Sequence, residues 1–186
     1  DTVSTGSTTV CDRRYPTGAY RCCTSPLRWV WRSACLASAG APVTADLFSP
    51  FVDLSTDLMF LPFRDASSDV IHCSHVLEHV ADDHQGLREL RRVLRDDGWA
   101  LIQVPIWAEG ETFEDPAITD PQERERVYGQ HDHVRKYGRD FLERLRLAGF
   151  RVQVVPAESI TDLAELRRMG IPPEEEVFLC QRESRP

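Results

Sequence analysis

Long apolar runs are missing from this chain. Nowhere do its 186 residues supply the ~20 consecutive apolar positions that a membrane span needs. The most apolar early stretch, Pro26 to Ala39, is interrupted by Arg28 and Arg32. Neither a span nor a signal peptide is therefore expected, and a cytoplasmic location with no membrane partner is the default. A basic excess is missing too. The formal net charge is -8, whereas neutralising a nucleic-acid backbone needs clustered Lys and Arg. That excludes nucleic acid as the main partner. Paired C-x-x-C knuckles are also lacking. Four of the six cysteines, Cys11, Cys22, Cys23 and Cys35, follow a C-x10-CC-x11-C spacing. A zinc ribbon wants the paired spacing, and disulfides are not expected in a cytosolic chain.

What is there divides near residue 42. Residues 1–42 carry a net charge of +3, so the remainder carries -11. Thr2 to Thr9 is polar and of low complexity, as loose termini are. Pro26 to Ala39 suits one helix with Trp29, Trp31 and Leu36 partly buried. The expected organisation is an atypical, poorly ordered arm over 1–42, one α/β domain over 43–181 and a tail over 182–186. A chain of this length supports one domain with a real core.

The stretch that organises the domain runs from Asp57 to Asp83, DLMFLPFRDASSDVIHCSHVLEHVADD. Leu61-Pro62-Phe63 is an apolar bend in which Pro62 fixes its own φ. Arg64 to Ser68 is a polar turn. Asp69 to Ser74 reads as a short strand with β-branched Val70 and Ile71, and His75 to Val80 as a helical turn. Upstream, Val43 to Leu47 is a strand containing Asp46. Only ten residues separate Asp46 from Asp57, too few for a crossover helix between parallel strands, so a loop over Phe48 to Val52 must replace it. Downstream, Asp82 and Gln85 have capping-box spacing. Leu87, Leu90, Val93 and Leu94 then share one helical face, and Asp97-Gly98 is expected to close the helix with a left-handed glycine. Trp99 to Val104, WALIQV, is apolar enough for a strand buried on both faces. Gly138 to Gly149 holds a further helix, Phe150 to Val155 alternates as a half-buried strand does, Ser159-Ile-Thr-Asp162 can cap a short helix through Met169, and Val177 to Gln181 is a last strand.

At these residues the sequence resembles the class I S-adenosylmethionine-dependent methyltransferases, specifically their type 11 branch. LPF-x-D-x-S-x-DV, the strand after it, HVLEHV, the helix LRELRRVLR, Gly-Trp and the strand ALIQVP look like the second half of that domain. Order and spacing across roughly residues 43 to 181 carry the resemblance. It implies a doubly wound, mostly parallel α/β sheet of the Rossmann-like methyltransferase kind. S-adenosylmethionine is the implied cofactor, and the implied activity is methyl transfer to an unidentified small molecule. It also implies cofactor-binding roles. Asp46 matches the acid that takes the ribose hydroxyls, and a carboxylate has the lone pairs for both. Asp57 matches the acid that receives the adenine amino group. The Leu58 amide meets a ring nitrogen, and His75 faces the cofactor or substrate at the end of the fourth strand. Met59 and Phe60 either wall the adenine or belong to the core, as do Leu61 and Phe63, and the core is the simpler assignment. His72, inside the strand, reads as a hydrogen-bonded core histidine.

One family feature is absent. The family opens with a strand and a Gly-x-Gly-x-Gly turn, but Gly6, Gly18 and Gly40 are isolated. The first strand and its glycine loop are expected to be missing or replaced, and with the compositional break near residue 42 a truncated or frame-shifted coding region is one explanation. A degenerate, non-catalytic domain of this fold is the alternative function.

The histidines allow a third reading. His75-x-x-Glu78-His79 matches the zinc motif of inverted zincins, with His75 and His79 one helical turn apart and Glu78 as base. A third protein ligand is needed and no downstream acid stands out, so metalloprotease is the remote alternative and no metal is assigned. Ile106 to Lys136 is long, polar and acidic, and loops of that length are usually functional or disordered. It is read as a substrate lid with Trp107, Tyr128, His131 and His133 as candidates, joined by Glu114 and Asp115. Methyl transfer from a sulfonium needs alignment more than acid–base help, so no catalytic residue is assigned. The oligomeric state is open.

Overall fold

The computed structural model describes residues 34–37, 42–50, 52–107, 110–173 and 175–183. Seven strands form one sheet. They are β1 (Ala34–Ala37), β2 (Val43–Asp46), β3 (Leu54–Ser55), β4 (Ser68–Ser74), β5 (Leu94–Gln103), β6 (Phe150–Pro156) and β7 (Glu176–Arg182), in spatial order β3-β2-β1-β4-β5-β7-β6. Four helices accompany them: α1 (Asp83–Val93), α2 (Pro121–Tyr128), α3 (Phe141–Leu147) and α4 (Leu163–Met169). Among the described residues no helix is long and apolar enough to cross a membrane.

The sheet is mixed, which corrects the expectation of a mostly parallel one. β2 pairs with β3 and β4 with β5 in parallel, but β1 runs antiparallel to both its neighbours, and β7 to both of its own. The physical reason lies at β1. Residues 38–42 join it to β2, a connection short enough for a hairpin but not for a parallel crossover. Ala34–Ala37 therefore forms a strand where a helix over Pro26 to Ala39 was expected. It also sits in the middle of the sheet although it precedes residue 43. The rest of that stretch, with Trp29, Trp31 and the other early cysteines, lies outside the described residues.

The core lies on one face. Ile71 and Cys73 of β4, Ala100 and Ile102 of β5, and Phe178 and Cys180 of β7 meet Leu87, Leu90 and Val93 of α1 and Phe141 and Leu145 of α3 in one cluster. Phe141 packs edge-on to Phe178, centroids 5.1 Å apart, in the geometry that aromatic quadrupoles favour. The other side of β5 is half-open, with Trp99 36% exposed, so the expectation of a strand buried on both faces fails there. His72 is exposed rather than a core residue.

α1 starts as read: Asp82 accepts from Gln85 N at 2.9 Å, satisfying a donor that the first turn leaves over. It ends earlier than expected, at Val93, with Leu94 already extended. Gly98 is not a left-handed cap. It lies in a bulge of β5 between the pairs Ser68–Leu94 and Val70–Trp99. A Cβ there would fall 2.7 Å from Asp69 O, so close backbone approach is what demands glycine.

Candidate functional site

The register brings three of the candidates to one edge. Ala45 of β2, Ala34 of β1 and Cys73 of β4 lie level across the sheet. Asp46 and Ser74 are one residue beyond, at the carboxyl ends of β2 and β4. Asp46 pairs with Ser55 of β3, and Asp57 follows two residues later. At ordinary strand spacing the ends of β2 and β4 are about 10 Å apart. β1, between them, points the other way, so its amino end faces this edge.

Each acid also has a local task. Asp46 Oδ1 accepts from the amides of Phe48 and Ser49, both at 2.7 Å. Asp57 caps the 3-10 turn Leu58–Phe60, its Oδ1 accepting from Met59 N at 2.8 Å. That turn packs on α1, where Gln85 Nε2 donates to Met59 O and Glu89 accepts from Leu61 N. Leu61 is buried, as the core assignment expects, and Leu58 is buried too, whereas Phe60 is 70% exposed and departs from that assignment.

His75 leaves β4 with φ +53, a conformation that costs energy for a residue with a Cβ. Its amide donates to Gln103 O at 3.0 Å, which holds the chain to the end of β5. The left-handed residue keeps His75 out of the helical turn, which ends at extended Val80. Leu77–His79 is a 3-10 turn, so His75 and His79 do not share a helical face in the manner of an inverted zincin, and the metalloprotease reading loses its geometry.

The turn instead builds a different cluster. His75 Nδ1 lies 3.2 Å from Glu78 Oε1, and the Glu78 side chain is only 1% exposed. The other oxygen of Glu78, Oε2, is buried without a hydrogen-bond partner among the described residues. Orphaned buried carboxylate oxygens are costly and rare. Beside it, the His79 and His133 rings pack edge to face with centroids 4.6 Å apart. His79 Nδ1 is 3.3 Å from Asp132 O and 3.5 Å from Asp132 Oδ2. Burial, followed by repulsion from His79, lowers the His133 pKa. These side chains line a cavity of about 310 Å³ together with Pro105, Trp107 and Gln130. A larger open depression of about 850 Å³ over residues 156–164 is lined by one continuous segment with no comparable cluster.

The long segment over residues 106–136 is folded where it is described. Ile106 bridges to Tyr137 and Phe113 to Lys136, and α2 lies within it. Its candidates part company. Trp107 and His133 line the cavity, with Lys136 Nζ 5.5 Å above the Trp107 ring. Tyr128 is buried elsewhere, where its hydroxyl accepts from Asp115 N at 3.0 Å. His131 is exposed and does not line the cavity.

Sequence reasoning missed what holds the turn in place. Arg135, buried, donates to the carbonyls of Leu77, Val80 and Ala81 and to Glu114. Tyr137 and Arg144 both donate to Asp83, and Arg144 also to Glu114. The four charged members, Asp83, Glu114, Arg135 and Arg144, carry two charges of each sign. Asp83 had no signal beyond its place at the helix start, and Arg135 none at all.

Comparison with known proteins gives the following. Residues 36–102 match the family model described as a methyltransferase domain. The chain is 37% identical over 110 residues to an uncharacterized 37.1 kDa protein in transposon TN4556 of Streptomyces fradiae, covering 56% of this chain and 30% of that one. It is 47% identical over 51 residues to the uncharacterized protein YafS of Escherichia coli strain K12, covering 27% and 21%. The chain thus spans less than a third of the length of these curated relatives. Among solved structures, the YcgJ protein from Bacillus subtilis aligns at 20% identity with a TM-score of 0.43, over 68% of this chain and 69% of that one.

Proposed function

With residues 36–102 belonging to the methyltransferase domain family, we propose that this chain binds S-adenosylmethionine and takes part in methyl transfer to a small molecule. The observation that carries the reading is the common edge: Asp46 ends β2, and Asp57 and His75 follow β3 and β4, whose carboxyl ends open on the same edge as that of β2, with reversed β1 between β2 and β4. Crevices at such edges are where open α/β sheets bind nucleotides. The donor set fits the adenosine half of the cofactor. Two carboxylates supply acceptors for ribose hydroxyls and an adenine amino group, and the exposed Phe60 ring supplies an apolar surface. When bound, the cofactor supplies an electrophilic methyl group on a sulfonium. What this chain's residues do is hold and orient, with Asp46 and Asp57 at the nucleoside and His75 and Trp107 toward the acceptor.

One observation favours the second reading, a scaffold that binds no cofactor. Because β1 is reversed, its carboxyl end faces away from this edge, so a glycine turn following it has no access to the methionine half. Calorimetric titration with S-adenosylhomocysteine decides between them. Micromolar binding, weakened by Asp57→Ala and by Asp46→Ala, supports the enzyme reading. No heat and no thermal shift at millimolar ligand sinks it in favour of the scaffold.

A further inference from the structure

We propose that Glu78, His79 and His133 form a binding site for one first-row divalent cation of the zinc type. One ligand atom from each lies within 4.8 Å of the other two. Bonds of 2.0–2.2 Å in a tetrahedral arrangement set such atoms about 3.4 Å apart, so closure asks for side-chain shifts of roughly an ångström. The Leu77–His79 turn provides two of the ligands, and His133 arrives from the segment between α2 and α3, fifty-odd residues later in the chain.

Three features point to a ligand rather than to packing. The first is the orphaned Glu78 Oε2, fully desolvated at the cavity wall; a cation would satisfy it. The second is the set of groups behind the ligands. His75 Nδ1 meets the other Glu78 oxygen at 3.2 Å. His79 Nδ1 meets Asp132, whose Oδ1 is itself held by Gln130 Nε2 at 2.9 Å. An Nδ1–H donated to Asp132 leaves Nε2 of His79 as the ligating nitrogen, the arrangement that orients metal-bound histidines. The third is the cavity of about 310 Å³, which leaves a coordination position open to an outside oxygen or nitrogen donor. Arg135, which ties down the carbonyls of Leu77, Val80 and Ala81, fixes the turn that carries two of the three ligands.

Ligand chemistry selects the metal. Two imidazoles and one carboxylate suit zinc, cobalt or ferrous iron, whereas magnesium and calcium call for oxygen-rich shells. This site is not the helical H-x-x-E-H pair. His75 stands behind Glu78 rather than beside the cation, and His133 takes the third position.

The test uses the full chain and the metal alone, with no methyl donor, so its outcome is independent of cofactor binding. Cobalt(II) added to chelator-treated protein is expected to give a visible ligand-field band saturating at one ion per chain, without a sulfur-to-cobalt charge-transfer band. Glu78→Gln and His133→Ala are each expected to weaken binding by at least about tenfold, and His131→Ala to leave it unchanged. Should a variant fail to fold, X-ray absorption on the zinc-loaded natural protein decides, with two imidazoles and oxygen expected in the first shell. Absence of saturable uptake, sulfur in the first shell, or binding unchanged in folded Glu78→Gln and His133→Ala each overturns the proposal.

Discussion

Arg135 Nε donates to Glu114 Oε2 across 2.9 Å while its two terminal nitrogens hold three carbonyls of the turn after β4. One guanidinium thus joins the segment over residues 106–136 to the turn that carries Glu78 and His79. Its planar fork of five donors suits that task in a way a lysine cannot match. Arg135→Met removes the guanidinium donor from all three carbonyls, of which, among the described residues, only that of Leu77 keeps others, Tyr137 Oη and the Val80 amide, and it strips a cation from buried Asp83, 3.9 Å away. The expected loss is about 3–5 kcal/mol, read as a lower midpoint in urea denaturation.

Gly138 sits where no side chain fits. A Cβ there would lie 2.0 Å from Gly110 O and 2.6 Å from the carbonyl carbon of Glu111. Backbone atoms cannot swing aside as a flexible side chain can, so Gly138→Ala must push the two segments apart. A cost of about 1–3 kcal/mol is expected. Gly110→Ala is the control: nothing lies within 4 Å of its added methyl, and its melting curve should match that of the parent chain.

Acid stability should depend on Glu89. The bond from Arg92, at 2.7 Å, is the main cause of its lowered pKa; burial opposes it, and the amide of Leu61 adds to the lowering. A carboxylate depressed on folding binds fewer protons in the native state. Its stabilisation is therefore complete above the ordinary glutamate pKa of about 4.3 and drains away as pH falls through the folded value. Glu89→Gln should be less stable than the parent at neutral pH and show a shallower decline in acid. Equal slopes for the two proteins between neutral pH and pH 3 to 4, a window of roughly 3 units spanning that pKa, would count against this account.

Cys73 and Cys180 should resist alkylation. Both are buried free thiols in β4 and β7. Burial raises both pKa values, that of Cys180 to about 12, and Glu78 pushes Cys73 further in the same direction. The thiolate is the reactive species. Peptides containing these two residues should remain unlabelled by iodoacetamide at about pH 8 in the native protein and become labelled in denaturant. Native labelling at either position would show that the one-sided core opens more readily than its packing suggests.

Much of the frame was legible residue by residue. The alternation of Phe150 to Val155, the stripe of Leu87, Leu90 and Val93, and the cap Asp82 are local signals, and each produces its element within a residue or two; of the stretch Ser159 to Asp162 only its last residue caps the helix. Gly98 was misread because glycine has two uses. A left-handed cap is a local matter, but a close approach to Asp69 O depends on a strand about thirty residues away. In the candidate site, the placement of Asp46, Asp57 and His75 at one sheet edge was legible because each ends a recognisable strand or starts a turn. Tyr128 and His131 had equal claims on paper to Trp107 and His133, and only the path of the segment separates them.

By itself the sequence determined most of the strands and helices after residue 43, α2 and the start of β5 excepted, and where polar side chains leave the ends of strands, because periodicity, caps and turn chemistry act over a few residues. Tertiary structure alone decided the pairing of β1 with β4, the charge network around Arg135 and the meeting of Glu78, His79 and His133. Those depend on contacts between residues far apart in the chain, where the geometry of pairing and burial, not local preference, sets which groups touch.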